Sequence, residues 1–126
     1  MPERRKILVV EDSEELRTLV TAALCAGGFD VVSARDGRTA ESLLDAATPF
    51  DLLVLDLVLP EVGGYALLAR VGRDPRRAKT PVIVMSGEID RGETIQGASA
   101  VLHKPFEMEQ LQRLAAKLVS GTRRAG

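Results

Sequence analysis

Short apolar runs recur along this chain with amphipathic stretches between them. Ile7 to Val10 is β-branched or leucine at every position, a pattern that suits a strand buried on both faces of a parallel sheet. Val31 to Ala34, Leu52 to Leu55 and Val82 to Met85 repeat it, and Val101 with Leu102 makes a shorter fifth run. After the first run, Ser13 is placed to cap a helix and Glu14 and Glu15 suit its positive end. Leu16, Leu19, Val20, Ala23 and Leu24 then follow at helical spacing until Gly27 and Gly28, with Cys25 read as core among them. A second helix is striped by Ala40, Leu43, Leu44 and Ala47, between an Asp36-Gly37 turn and Pro49. A third opens at Gly63 and Gly64 and runs through Val71; a last carries Met108, Leu111, Leu114, Ala115 and Leu118 and ends near Gly121. The segment from Gly87 to Gly97 reads poorly as helix, because Gly92 interrupts it and only Ile89 and Ile95 are large and apolar.

Strands alternating with helices predict a doubly wound α/β domain over residues 1–121, with a five-stranded parallel sheet, a shortened or irregular fourth helix and a tail at 122–126. Ligand sites in such sheets form at the carboxyl ends of the strands. Glu11 and Asp12 follow the first strand, Asp56 the third, Ser86 the fourth, and Lys104 with Pro105 the fifth. Two like charges about 4 Å apart cost on the order of 4 kcal/mol at an effective dielectric of about 20, so three converging carboxylates need a proton or a cation. Lys104 offsets one charge, and Mg²⁺, a hard ion that takes carboxylates, waters and phosphoryl oxygens, offsets the rest. Asp56 is then a candidate nucleophile for phosphoryl transfer, Lys104 a neutralising charge and Ser86 a donor to a phosphoryl oxygen.

Composition narrows the partners. The net charge of −1, from 17 basic and 18 acidic residues, draws the chain neither to nucleic acid nor to an anionic membrane, which leaves a protein or a small ligand. The single cysteine makes no internal disulfide, and neither a signal peptide nor an apolar run of membrane-spanning length is present, so the cytoplasm is the expected compartment.

KILVVED, DLLVLDLVLPEVGG, PVIVMSG and GASAVLHKPF together resemble the receiver domain of bacterial response regulators over nearly the whole chain. The resemblance implies a flavodoxin-like sheet of order 2-1-3-4-5 and a phosphoacceptor at Asp56, supplied by a histidine kinase or a histidine phosphotransfer protein and acting on a downstream protein. It further implies Mg²⁺ (or Mn²⁺) held by Asp12, Asp56 and the Val58 carbonyl, with Glu11 joining through water and Ser86 and Lys104 on the phosphoryl group. A cis peptide between Lys104 and Pro105 is also implied, and such a protein is a signalling module that assists its own phosphorylation rather than an enzyme. Two positions depart from the family pattern: the segment after Gly87 is short, and Val101 stands where the family has an aromatic switch residue. Phosphorylation is therefore expected to act on the Gly87 to Gly97 loop instead.

The chain begins at Met1 and ends within seven residues of its last helix, which reads as a single-domain regulator; a receiver excised from a hybrid kinase or longer regulator, and a phosphorylation-independent scaffold, are the alternatives. A flavin or nucleotide carrier needs a phosphate loop of small residues, whereas Glu11, Asp12, Ser13, Glu14 and Glu15 repel phosphate. Val58 and Glu88, two residues past Asp56 and Ser86, read as shaping water access, His103 as a rim residue, and Tyr65 as packing with its hydroxyl in water. Arg70, Arg73, Arg76, Arg77 and Lys79 read as solvated helix-end charge.

Overall fold

The computed structural model describes residues 4–88 and 94–120. Strand β1 (Lys6–Val10) is followed by α1 (Glu14–Ala26), β2 (Asp30–Ala34), α2 (Gly37–Asp45), β3 (Leu52–Asp56), α3 (Gly64–Arg73), β4 (Val82–Ser86), β5 (Ala100–His103) and α4 (Met108–Ser120). The five strands form one parallel sheet in the order β2-β1-β3-β4-β5, as the flavodoxin-like reading implies.

Alternation along the strands feeds two cores. Ile7 and Val9 of β1 join Val20 and Leu24 of α1 and Leu111, Ala115 and Val119 of α4 on one face. Leu8 and Val10 join Ala40 and Leu44 of α2 and Leu67, Leu68 and Val71 of α3 on the other. A strand with both faces covered has no polar position, which is why these runs are continuous rather than alternating. The α1 stripe is narrower than its spacing predicts: Leu19 is half exposed, and Cys25 is exposed rather than core. Val20 and Leu24, one turn apart, take the buried line, and Leu19 and Cys25 each lie one residue to its side.

Among the described residues no helix lies between β4 and β5, in keeping with the expected loss of regular structure there. Ile89 and Gly92, on which part of that expectation rests, fall outside the described residues, as does the tail. Ile95 is buried in the α2–α3 core, and Ala98 and Val101 pack against that core. No helix among the described residues is long and apolar enough to cross a membrane.

Helix α2 ends earlier than its pattern suggests. It stops at Asp45, and Ala47 is exposed rather than the end of a buried stripe. Arg77, which is buried rather than solvated, occupies this helix end. Its guanidinium donates to the carbonyls of Leu44 at 2.9 Å, Ala46 at 3.0 Å and Thr48 at 3.0 Å, and lies 5.4 Å from the centre of the Phe50 ring. Desolvation holds its pKa below the ordinary arginine value, with Arg76 adding in the same direction. A planar fork of five donors can serve carbonyls that splay from an unwinding helix end, and the chain leaves the helix to meet it. The neighbouring arginines are also engaged: Arg70 pairs with Glu41 at 3.0 Å and with Asp45, and Arg76 pairs with Asp74 at 3.2 Å.

Replacing Arg77 by Ala strands these carbonyls, and a loss of about 3 kcal/mol in unfolding free energy is expected in urea denaturation. Arg77→Lys recovers only part of it, since one ammonium cannot reach all three acceptors. Equal stability of wild type and Arg77→Ala would remove the helix-end role.

Candidate functional site

The carboxyl ends of β1, β3, β4 and β5 lie side by side, because the sheet order places them next to one another. Asp56 is the last residue of β3 and Ser86 the last of β4; in the ladders Asp56 sits opposite Met85, and Ser86 opposite His103. The pairing extends past the strands, with the Leu57 N–H donating to the Met85 carbonyl at 3.3 Å and the Lys104 N–H to the Ser86 carbonyl at 3.0 Å. Each reactive side chain is therefore fixed to a hydrogen-bonded strand end rather than to a free loop.

Glu11, Asp12 and Asp56 converge, each offering a carboxylate oxygen within 4.8 Å of the others. Glu11 and Asp56 are buried, and Asp12 is exposed at the mouth. Lys104 Nζ lies between the two buried carboxylates, 2.9 Å from Glu11 Oε1 and 2.7 Å from Asp56 Oδ2. The second oxygen of Asp56 accepts the Val58 N–H at 3.0 Å, and the second oxygen of Glu11 accepts the Ser13 N–H at 2.9 Å. Burial pushes the Glu11 pKa up, and the Ser13 N–H and the ammonium of Lys104 offset only part of the rise. For Lys104 burial acts downward, but its hydrogen bonds to Asp56 and Glu11 together carry the pKa above the usual lysine value.

Three carboxylates and one ammonium leave an acidic excess at the sheet edge. The donors are all hard oxygens, one of them open to solvent, which is the donor set that Mg²⁺ or Mn²⁺ takes with several waters retained. The residues fit a small divalent cation on that count.

Ser86 is buried, and its Oγ accepts the Glu88 N–H at 3.1 Å, which leaves the hydroxyl proton free to be donated elsewhere. Gly87 adjoins Lys104: a β-carbon added there would lie 3.7 Å from the Lys104 Cβ, an ordinary contact. Val58 is half exposed and folds back over Asp56 through its N–H. The Lys104–Pro105 peptide is cis, as expected. His103 is half buried on β5 and Tyr65 is largely exposed on α3; neither enters the acidic cluster.

The pattern of the sequence did not reveal two supports of the site. Arg17, one turn into α1, donates to the Glu11 carbonyl at 3.0 Å. A helical side chain leans toward the helix N-terminus, so a basic residue one turn after the acidic loop is the available signal. Gly64, a helix start in the sequence pattern and eight residues after Asp56, has a further role. A β-carbon there would overlap the Asp56 carbonyl and lie 2.5 Å from Leu57 Cα, so α3 approaches the end of β3 closely enough to exclude a side chain. The Gly64 N–H donates to the Leu57 carbonyl at 3.1 Å across the same contact.

Comparison with known proteins places this arrangement. Residues 7–116 match the model of the response regulator receiver domain. A DNA-binding dual master transcriptional regulator of Synechocystis, RpaA, is 34% identical over 123 residues, covering 94% of this chain and 51% of that protein. This chain spans about half the length of such curated relatives. Among solved structures, the receiver domain of a signal transduction histidine kinase from Syntrophus aciditrophicus superposes with a TM-score of 0.86 at 28% identity, covering 97% of this chain and 95% of that one. The chemotaxis response regulator CheY4 of Vibrio cholerae gives 0.83 at 26% identity, covering 92% and 99%.

Lys104 and a divalent cation compete for the same negative charge. Lys104→Ala is expected to tighten Mg²⁺ binding by about tenfold in calorimetric titration, since a positive charge about 3 Å from two carboxylates is removed. The same variant should melt at lower temperature in EDTA, with Mg²⁺ restoring much of the loss. Weaker Mg²⁺ binding in the variant would show that Lys104 organises the acidic group rather than competing for it.

Proposed function

This chain belongs to the response regulator receiver domain family, and on that premise we propose that Asp56 accepts a phosphoryl group from a histidine kinase or a histidine phosphotransfer protein. Response regulators of this family are signalling proteins of two-component systems. The single observation that carries the reading is the state of Asp56: a buried carboxylate at a strand end, with one oxygen held by the Val58 N–H and the other by Lys104, inside a cluster of three acids.

Asp12, Asp56 and the Val58 carbonyl are the ligands assigned to Mg²⁺ or Mn²⁺, with Glu11 contributing its charge through water. The bound cation supplies charge neutralisation at the phosphoryl oxygens. The remaining work falls to side chains. An Asp56 oxygen forms a bond to phosphorus as the P–N bond to the donor imidazole breaks, and the nitrogen keeps the electron pair. The product is an acyl phosphate on Asp56. Lys104, already within hydrogen-bonding distance of Asp56, follows negative charge onto the transferred oxygens, and the Ser86 hydroxyl donates its unused proton to one of them. Hydrolysis at the same site returns the free carboxylate and releases inorganic phosphate, and Val58 and Glu88, both solvent-exposed, are read as shaping the access of that water.

The upstream and downstream partners are read as proteins in the cytoplasm, consistent with a net charge close to zero. DNA binding is recorded in the name of the Synechocystis relative and is said of that protein. A second reading, a receiver working inside a longer polypeptide, is favoured by the half-length coverage of that regulator and by the likeness to a receiver taken from a histidine kinase. Both readings use Asp56 in the same way.

Incubation with acetyl phosphate and Mg²⁺ should add one phosphoryl group by intact mass. The adduct should be absent in EDTA and absent from Asp56→Asn, and it should be much reduced in Lys104→Ala. An unmodified mass under all conditions would favour a phosphorylation-independent scaffold.

A further inference from the structure

The loop of residues 57–63 joins the end of β3 to α3 and carries the main chain of Val58. Its first part is held by Asp56, through the Val58 N–H, and its last residue adjoins the tight contact at Gly64. The middle of the loop leans on a different element, the first turn of α2. Gly37, the first residue of that helix, is buried, and a β-carbon there would overlap the Val62 carbonyl oxygen and lie 2.6 Å from the Val62 Cβ. The next residue, Arg38, pairs through Nε with Glu61 Oε2 at 2.6 Å, and Glu61 holds the left-handed conformation, with φ of 64°. Asp36 fixes the start of the helix by accepting the Thr39 N–H at 2.8 Å. The same corner of the fold also reaches the other side of the site, because the carbonyl of Ala34, at the end of β2, accepts the Glu11 N–H at 3.1 Å. The β2–α2 corner therefore touches both the acidic loop after β1 and the loop that carries Val58.

We propose that Gly37 is a positioning residue for the cation site: the missing side chain lets Val62 seat on the start of α2, and that seat sets where the Val58 main chain lies relative to Asp56 and Asp12. The inference rests on the reading above that Asp12, Asp56 and the Val58 carbonyl hold the cation. Any residue larger than glycine at position 37 must push Val62 outward, because the obstructing atoms include main chain that cannot rotate away. Val62 lies four residues from Val58, and the loop between them is short, so the push is passed to the carbonyl. Mg²⁺ is sensitive to such a shift, since it requires near-octahedral oxygens at about 2.0–2.1 Å, whereas Ca²⁺ accepts irregular sets at about 2.3–2.6 Å. A displaced carbonyl should consequently cost Mg²⁺ affinity more than Ca²⁺ affinity, which simple loss of stability would not do.

Calorimetric titration of Mg²⁺ and of Ca²⁺ into the full chain and three variants tests this. Gly37→Ala adds the obstruction, Val62→Gly removes the side chain that rests on Gly37 without adding one, and Leu44→Ala weakens the far end of the same helix. Gly37→Ala and Val62→Gly should each lose about tenfold in Mg²⁺ affinity, as supports of metal ligands commonly do, with a smaller loss for Ca²⁺. Leu44→Ala should melt earlier yet keep the ratio of the two affinities. Should Gly37→Ala fail to fold, Val62→Gly decides the matter alone. Unchanged Mg²⁺ affinity in the folded variants, or an equal change in Leu44→Ala, overturns the positioning role. A wild-type chain that binds no Mg²⁺ overturns the cation-site reading itself.

Discussion

The ammonium of Lys104, seated between two buried carboxylates, is the interaction on which the architecture of the site depends. Without a positive charge at that point, Glu11 and Asp56 would face each other across a few ångströms of low-dielectric interior, a repulsion of several kcal/mol. The lysine relieves that repulsion only in part. Glu11 is still pushed toward its protonated form by burial, and Asp12 adds a third acid at the mouth. The fold thus holds a charge imbalance whose natural complement is a small divalent cation, followed by an anionic group that brings oxygens of its own.

Such a cluster can persist because its members belong to four parallel strands whose ends are laddered together. A charged group on a free loop would relax away from its neighbours. Here the main-chain bonds from Leu57 to Met85 and from Lys104 to Ser86 continue the sheet beyond its formal ends, and Gly64 brings α3 against the back of Asp56. Preorganisation of this kind is what lets electrostatic stabilisation act at full strength, since little energy is spent on reorienting dipoles during the reaction. The corner between β2 and α2 touches both the acidic loop after β1 and the loop that carries Val58.

The order and type of the nine elements among the described residues are legible in the sequence because strands buried on both faces read as unbroken apolar runs, and the strand-end acids can then be found by position. Asp56, Glu11, Asp12, Ser86 and Lys104 all lie at the sheet edge where that reasoning put them. What escaped the pattern depended on three-dimensional neighbours. Arg77 sits in a basic stretch that looks solvated, and only the approach of the α2 terminus makes it a buried donor. Ala47 fits helical spacing, yet the helix ends before it, where the Leu44 and Ala46 carbonyls accept from Arg77. Leu19 and Cys25 fit a wide apolar stripe, but α1 buries only the line of Val20 and Leu24. Gly37 looked like one half of a turn, and its part in seating Val62 appears only when residues 25 positions apart are brought together.

The departures from the family pattern leave the acidic cluster and its lysine in place for a structural reason. Every reactive side chain comes from β1, β3, β4 or β5 and the residues directly after them, and none comes from a helix. Among the described residues, the stretch between β4 and β5 therefore supplies none of the three acids and not the lysine. It leads instead into β5. There the side chain of Val101, opposite Val84 in the ladder, packs against the α2–α3 core together with Ile95 and Ala98. A small β-branched residue in that place cannot swing between a buried and an exposed rotamer as a ring does, because valine has one short side-chain torsion and no reach to the surface. The acidic site and the surface beside β5 are thus separate parts of this fold: the first belongs to the strand ends, and the second to whatever covers the edge of the sheet.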